Sequence, residues 1–234
     1  MRIVTFNVQH GRTPGGRVDS AGLARYCAGL GADVLALQEV DVRVARSRWA
    51  DQAARVAQAT GMVQAFGPAH RLGLVGRYGN ALLCRGALAD VQVLALPRLG
   101  RAEQRAALLA TALFGGSRLS VATTHLSIHA DEAPGQLEAV VAALVARPSP
   151  RLLLGDLNLR PGDVAPLVAA GGLALADPAH PTFPASAPRI RIDHVAVEGL
   201  AVRAVEVLPS APVSDHRALA VDAVEASSPP RSPR

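Results

Sequence analysis

Asp156 and Asn158 stand one residue apart where an apolar run ends, in Arg151-Leu152-Leu153-Leu154-Gly155-Asp156-Leu157-Asn158-Leu159. Extended geometry sends both side chains to one side, so an acceptor-only carboxylate and an amide that donates and accepts reach the same ligand. Such a pair suits a phosphate held beside a divalent ion. Carboxylate and carbonyl oxygens are what magnesium takes, and an amide N–H steadies a phosphate oxygen as its charge grows. A competing reading makes the same residues an Asx-type turn that caps the following segment.

Other polar residues share the placement of this pair. Asn7, Glu39, His125, Asp193, Asp215 and His216 each stand at or near the end of an apolar run, spread over almost the whole chain. Each has a local alternative: Glu39 has Arg43, Arg46 and Arg48 just beyond it as salt-bridge partners, and a strand-end histidine such as His125 often makes one structural hydrogen bond. Separate explanations for all of them multiply, whereas one sheet edge that gathers distant residues explains them together.

The elements that position these groups follow from hydrophobic periodicity. Strands are expected at 2–8, 33–40, 80–84, 91–96, 105–114, 118–124, 152–154, 191–197, 202–208 and 218–224. Gly115-Gly116 signals a hairpin between two of them. Helices are expected at 21–30 with Ser20 as N-cap, at 49–60 stopped by Gly61, at 132–146, and at 163–170. Residues 66–78 read as a loop. The proline-studded stretch 178–188 is too long for a plain connection and suggests a binding role. The expectation is a single domain over 1–225, followed by a disordered Pro/Ser/Arg tail at 226–234.

Half of the 234 residues are hydrophobic but only 3% are aromatic, so the core must be built from Ala, Val and Leu. There is no lysine; the net charge of +5 and the sequence pI near 10.4 come from arginine alone. That balance favours acidic partners such as nucleic acid, nucleotides or anionic head groups. Cys27 and Cys84 stand far apart with no CxxC context, which argues against a zinc site or a disulfide framework and for a reducing compartment. With no long apolar run and a strand beginning at Arg2, the expectation is a soluble, cytoplasmic protein without a leader.

The motifs Thr5-Phe6-Asn7, Leu37-Gln38-Glu39-Val40-Asp41, Thr124-His125-Leu126, Gly155-Asp156-Leu157-Asn158, Arg191-Ile192-Asp193 and Ser214-Asp215-His216 resemble, in order, those of the endonuclease/exonuclease/phosphatase superfamily. The resemblance covers roughly residues 1–224; the stretch 37–68 is similar to an uncharacterised bacterial branch. It implies an α/β fold of the deoxyribonuclease I type, a four-layer α/β/β/α sandwich of two mixed β-sheets, and a Mg²⁺- or Mn²⁺-dependent phosphodiesterase. By the same resemblance, Glu39 binds the metal, Asn7 supports the metal and its phosphate, and Asp215 is a further ligand or stands behind the ligands. Asp156 orients or deprotonates the attacking water, Asn158 stabilises the charged phosphate, and His216, held by Asp193, is the second acid/base or phosphate-stabilising group. His125 contacts the phosphate or assists the leaving group. Whether Asp156 or His216 takes the proton stays open.

Arginine concentrates near the presumed edge at Arg43, Arg46, Arg48, Arg71, Arg77 and Arg105, and substrate binding is assigned to Arg46, Arg77, Asn80 and Arg105. A nuclease acting on DNA or RNA is the leading expectation, ahead of a phospholipid or small-molecule phosphoesterase and of a catalytically silent binding module. A lipid substrate calls for exposed apolar loops near the site, and the loops read from sequence carry mostly Arg, Gly and Pro. No protein partner is expected.

Overall fold

The computed structural model describes residues 1–176 and 180–226. In chain order its strands are β1 (Arg2–Asn7), β2 (Val34–Val42), β3 (Val63–Leu72), β4 (Gly76–Cys84), β5 (Ala87–Ala95), β6 (Ala106–Phe114), β7 (Ser117–His125), β8 (Arg151–Asp156), β9 (Ala174–Ala176), β10 (Asp193–Glu198), β11 (Leu200–Val207) and β12 (Leu219–Glu225). The α-helices among the described residues are α1 (Ser20–Ala28), α2 (Gln52–Thr60), α3 (Ala133–Val145) and α4 (Pro161–Ala170).

The strands form two six-stranded mixed sheets, ordered β11-β12-β1-β2-β4-β3 and β5-β6-β7-β8-β10-β9. Each has one parallel pair at its centre, β1 with β2 and β7 with β8, and each pair is joined through a helix, α1 or α3. The central strands are buried on both faces, which is why they read as unbroken apolar runs. In β8, Leu152 and Leu154 point between the sheets while Leu153 points toward α3 and α4. In β1, Ile3 packs between the sheets and Val4 and Phe6 pack against α1 and α2. Three apolar seams therefore hold four layers, as the resemblance implied.

Local boundaries differ from the sequence reading where capping and edge effects decide. Asp19 rather than Ser20 caps α1, its side chain accepting from the Gly22 N–H at 2.8 Å. Asp51 caps α2, so the helix begins at Gln52, and Trp49 sits outside it with φ of 61°. The expected loop at 66–78 is instead most of a hairpin. Proline at position 68 is tolerated because β3 is an edge strand and the ladder shifts register between Pro68 and His70. The expected tail falls outside the described residues except for Ala226, as does the 178–179 end of the proline-rich stretch.

Candidate active site

Strand register brings the first groups together. Along the parallel β7/β8 ladder His125 is opposite Asp156, and along the antiparallel β8/β10 ladder Asp193 is opposite the same Asp156. Gly155 makes this possible. With φ of +153°, a Cβ there would lie 2.0 Å from the Thr124 carbonyl oxygen, so only glycine lets the backbones approach this closely. Asn7 reaches across from the other sheet, its Nδ2 donating to Asp156 Oδ2 at 2.9 Å and to Glu39 Oε1 at 3.0 Å.

Glu39 is aimed by a β-bulge. The β2/β4 register shifts between Leu37 and Val40, and Glu39 takes φ of 60°. Two adjacent polar residues are thereby sent in different directions. Gln38 turns into the inter-sheet core, accepting from Thr5 Oγ at 3.3 Å and donating to Thr123 Oγ at 3.1 Å, while Glu39 turns out to the cleft. None of the three nearby arginines pairs with Glu39; Arg46 instead grips Asp41 with two hydrogen bonds of 2.9 and 2.8 Å.

These groups line a cleft of about 490 Å³. Its walls include Glu39, Arg105, His125, Asp156, Asn158, Asp215 and His216, together with the apolar or aromatic Tyr78, Ile128, Phe183, Ile190 and Ile192. The proline-rich stretch contributes one wall residue, Phe183, and Ile190 just beyond it contributes another. Asn158, at φ of 50°, donates its backbone N–H to Asp156 Oδ1 at 3.1 Å and one side-chain hydrogen to Leu126 O at 3.0 Å. The Asx-type turn and the cleft are one feature, because the turn is what presents the amide.

The two histidines are polarised in opposite senses. His216 Nδ1 lies 2.9 Å from Asp193 Oδ2, so Nδ1 carries a proton and Nε2 faces Asp156 Oδ2 at 3.7 Å. Burial disfavours its cation, but Asp193, Asp156 and Asp215 outweigh that and its pKa is pushed up to about 10. His125 has a guanidinium partner instead. Arg105 Nη1 lies 3.1 Å from His125 Nδ1, and since arginine only donates, Nδ1 must accept and the ring proton sits on Nε2. Burial and the adjacent Arg105 charge push the His125 pKa down to about 3, so the ring is neutral. Its Nε2 is 3.5 Å from Asp156 Oδ2. Nitrogen-15 NMR of histidine-labelled protein should show one neutral ring fixed as the Nε2–H tautomer, and Arg105→Met should leave that ring exchanging between tautomers. An unchanged spectrum in the variant would contradict this assignment.

Carboxylate charge is unevenly balanced. Burial and the Asp193 charge push Asp156 up to about 7. Glu39 is raised by burial, yet hydrogen bonding from Asn7 and the nearby imidazoles outweigh it and hold it down near 2. The His10 ring, 3.8 Å from Glu39, adds to that lowering. Asp215 is raised by burial and further by the Glu39 and Asp193 charges. One Asp215 oxygen accepts from Gln9 Nε2 at 2.8 Å, and the other is buried without a hydrogen-bond partner.

Glu39, Asp215 and Asn7 are a hard oxygen set, and the buried Asp215 oxygen lacks the positive partner that a small divalent ion would provide, so these residues fit one. Asp156, Asp193 and His216 also bring ligand-type atoms within 4.8 Å of one another. They are better described as an ion-pair chain, because His216, with its pKa pushed up to about 10, carries a proton on both ring nitrogens and has no lone pair to offer a metal.

Among the substrate-binding residues read from sequence, Arg105 lines the cleft. Arg46 leans over the Tyr78 ring, 5.5 Å from its centroid, and lines a separate hollow with Arg17 and Arg48. Arg77 is on the exposed β3–β4 tip, and Asn80 is buried, donating to Ala106 O at 2.8 Å. Two cleft-supporting residues escaped sequence reading. Gln9 ties Asp215 to the Asn7 side chain, its N–H donating to Asn7 Oδ1 at 3.0 Å, and Phe183 covers the His216 ring at a centroid distance of 4.8 Å. The spacing of Gln9 two residues beyond Asn7 was the available signal; Phe183 offered none beyond its place in the proline-rich stretch.

The model of the Endonuclease/Exonuclease/phosphatase family matches residues 4–216. Among solved structures, an endonuclease/exonuclease/phosphatase from Beutenbergia cavernae is similar at 26% identity and a TM-score of 0.81, over 96% of this chain and 71% of that one. The human Nocturnin catalytic domain with bound sulfate matches at 18% identity and 0.73, over 97% and 94%. A mannosyl-6-phosphatase from Bacteroides thetaiotaomicron matches at 15% and 0.77, over 96% and 99%. No curated protein matches.

Proposed function

Because the chain belongs to the endonuclease/exonuclease/phosphatase family, we propose that it is a divalent-metal-dependent phosphoesterase that hydrolyses phosphodiesters in this cleft. The observation that carries the reading is the position of Asp156, buried between two oppositely polarised histidines and bridged through Asn7 to Glu39.

The residues divide the work by chemistry. Glu39, Asp215 and Asn7 would hold Mg²⁺ or Mn²⁺, which when bound supplies positive charge to the phosphate oxygens. Asp156, with its pKa near neutrality, accepts the proton of the attacking water. His216, kept cationic by Asp193, neutralises a non-bridging oxygen, and His125 donates its Nε2–H toward the phosphoryl or leaving oxygen. Asn158 has a second amide hydrogen left for the developing charge. Arg105 positions His125.

A nuclease and a phospholipid phosphodiesterase both fit this chemistry. Of the arginines expected at the edge, only Arg105 lines the cleft, and it is engaged with His125 and Glu103, which leaves little to track successive phosphates. The apolar and aromatic wall favours a diester with an apolar part. The test is hydrolysis of bis-p-nitrophenyl phosphate and of the monoester side by side, with Mg²⁺, Mn²⁺ or EDTA. Diester turnover only in the metal-supplemented samples is expected; no turnover with either metal would sink the reading.

A further inference from the structure

Three exposed apolar tips stand out, one of which, Ile128, is on the wall of the cleft. The β3–β4 hairpin turns through Gly73-Leu74-Val75, with Leu74 95% and Val75 57% exposed. The β5–β6 connection presents Leu99 at 57%, and the segment after β7 presents Ile128 at 71%. Large aliphatic side chains this exposed forgo the burial that drives folding, and a group of them marks a contact surface.

The tips are joined to each other and to the site. His70 on the hairpin strand lies 3.9 Å from Glu103, which also pairs with Arg105 at 3.2 Å. The Leu99 N–H donates to Glu132, and Glu132 accepts from Ser127, next to Ile128, at 2.6 Å. Gln136 on α3 donates to Pro97 O at 2.8 Å. Tyr78 from β4 and Ile128 are themselves cleft walls.

Each of two tips is flanked by exposed arginine: Arg71 and Arg77 around Leu74-Val75, Arg98 and Arg101 around Leu99. Neither stretch, 71–77 or 97–101, contains an acidic residue. Asp131 beside Ile128, the buried Glu132 and the half-exposed Glu103 are the acids nearby, and Glu132 and Glu103 are already engaged with protein partners. Apolar apices with cationic shoulders match the layered chemistry of a lipid interface: acyl chains for the leucines and valine, phosphate head groups for the guanidiniums.

We propose that these tips dock an anionic phospholipid surface and present the cleft to the head-group phosphodiester. The docking stands on the tips alone, whereas naming a phospholipid as the substrate rests on the phosphoesterase reading above. The sequence reading expected loops of mostly Arg, Gly and Pro near the site, and Leu74, Val75, Leu99 and Ile128 are exposed apolar exceptions to it.

The experiment is co-sedimentation of the full chain with vesicles of phosphatidylcholine alone and of phosphatidylcholine with about one-third phosphatidylserine. Binding should be at least about tenfold stronger to the anionic vesicles. A Leu74→Ser, Val75→Ser variant should weaken it by roughly tenfold, with bis-p-nitrophenyl phosphate turnover unchanged. Arg71→Gln and Arg98→Gln together should remove most of the preference for phosphatidylserine. Failure of the wild type to sediment, or equal binding by the tip variant, would overturn the proposal. So would tip-dependent binding of a single-stranded oligonucleotide in place of vesicles, which would assign the tips to nucleic acid. Absence of small-diester turnover in the wild type would count against the phosphoesterase reading and leave the vesicle result standing.

Discussion

Asp156→Asn should lower diester turnover by roughly 10³-fold with little change in KM and no loss of fold. Asparagine keeps an acceptor for the Asn158 N–H and fills the same volume. The proton-accepting carboxylate is lost, and with it the acceptor for the Asn7 side-chain amide, which donates to the other Asp156 oxygen at 2.9 Å. Stability should change little, because relief from a buried anion that burial and Asp193 already disfavour offsets the lost hydrogen bond from Asn7. Steady-state kinetics with the small diester, alongside a thermal melt, separate the two effects. A variant that retains half of its turnover would remove Asp156 from the role of base.

His216→Ala should cost on the order of 10³-fold in turnover, and Asp193→Asn a comparable factor, yet the double variant should be no worse than the more damaging single one. The reason is that the two side chains act as a unit: Asp193 matters because its oxygen 2.9 Å from Nδ1 keeps the imidazole charged and oriented. The cycle is read from kcat in all four proteins. Additive losses would show that Asp193 contributes by a route independent of His216. The pair is also screened from water, by Phe183 over the ring and by the complete burial of Asp193, which keeps its charge effective at short range.

The sheets were legible because their central strands are buried on both faces and leave continuous apolar runs; Leu152 to Leu154 needed no context to be read. The β3–β4 hairpin was not, since Gly67, Pro68, His70 and Gly73 signal a coil, and only its edge position reconciles them with a strand. For the site, strand-end placement identified Asn7, Glu39, His125, Asp156, Asp193, Asp215 and His216, which the structure gathers around one cleft. Their pairings were hidden. Nothing in spacing reveals that a bulge separates Gln38 from Glu39, that Arg46 closes on Asp41, or that Arg105 fixes the His125 tautomer. These are cross-strand relations set by register, and register is invisible to local periodicity.

The strand order β11-β12-β1-β2 also bears on how the protein comes into being. The last strand pairs with the first, Arg2 to Asp222 through Thr5 to Leu219, and His216 lies just before that last strand while Asn7 ends the first. During synthesis the N-terminal residues of the site emerge early and wait for the final strand to close beside them. Such long-range pairing slows folding and leaves the flank of β1 open on the ribosome. It also means that a nascent chain shorter than 216 residues lacks the imidazole held by Asp193, and with it one part of the proposed hydrolytic machinery.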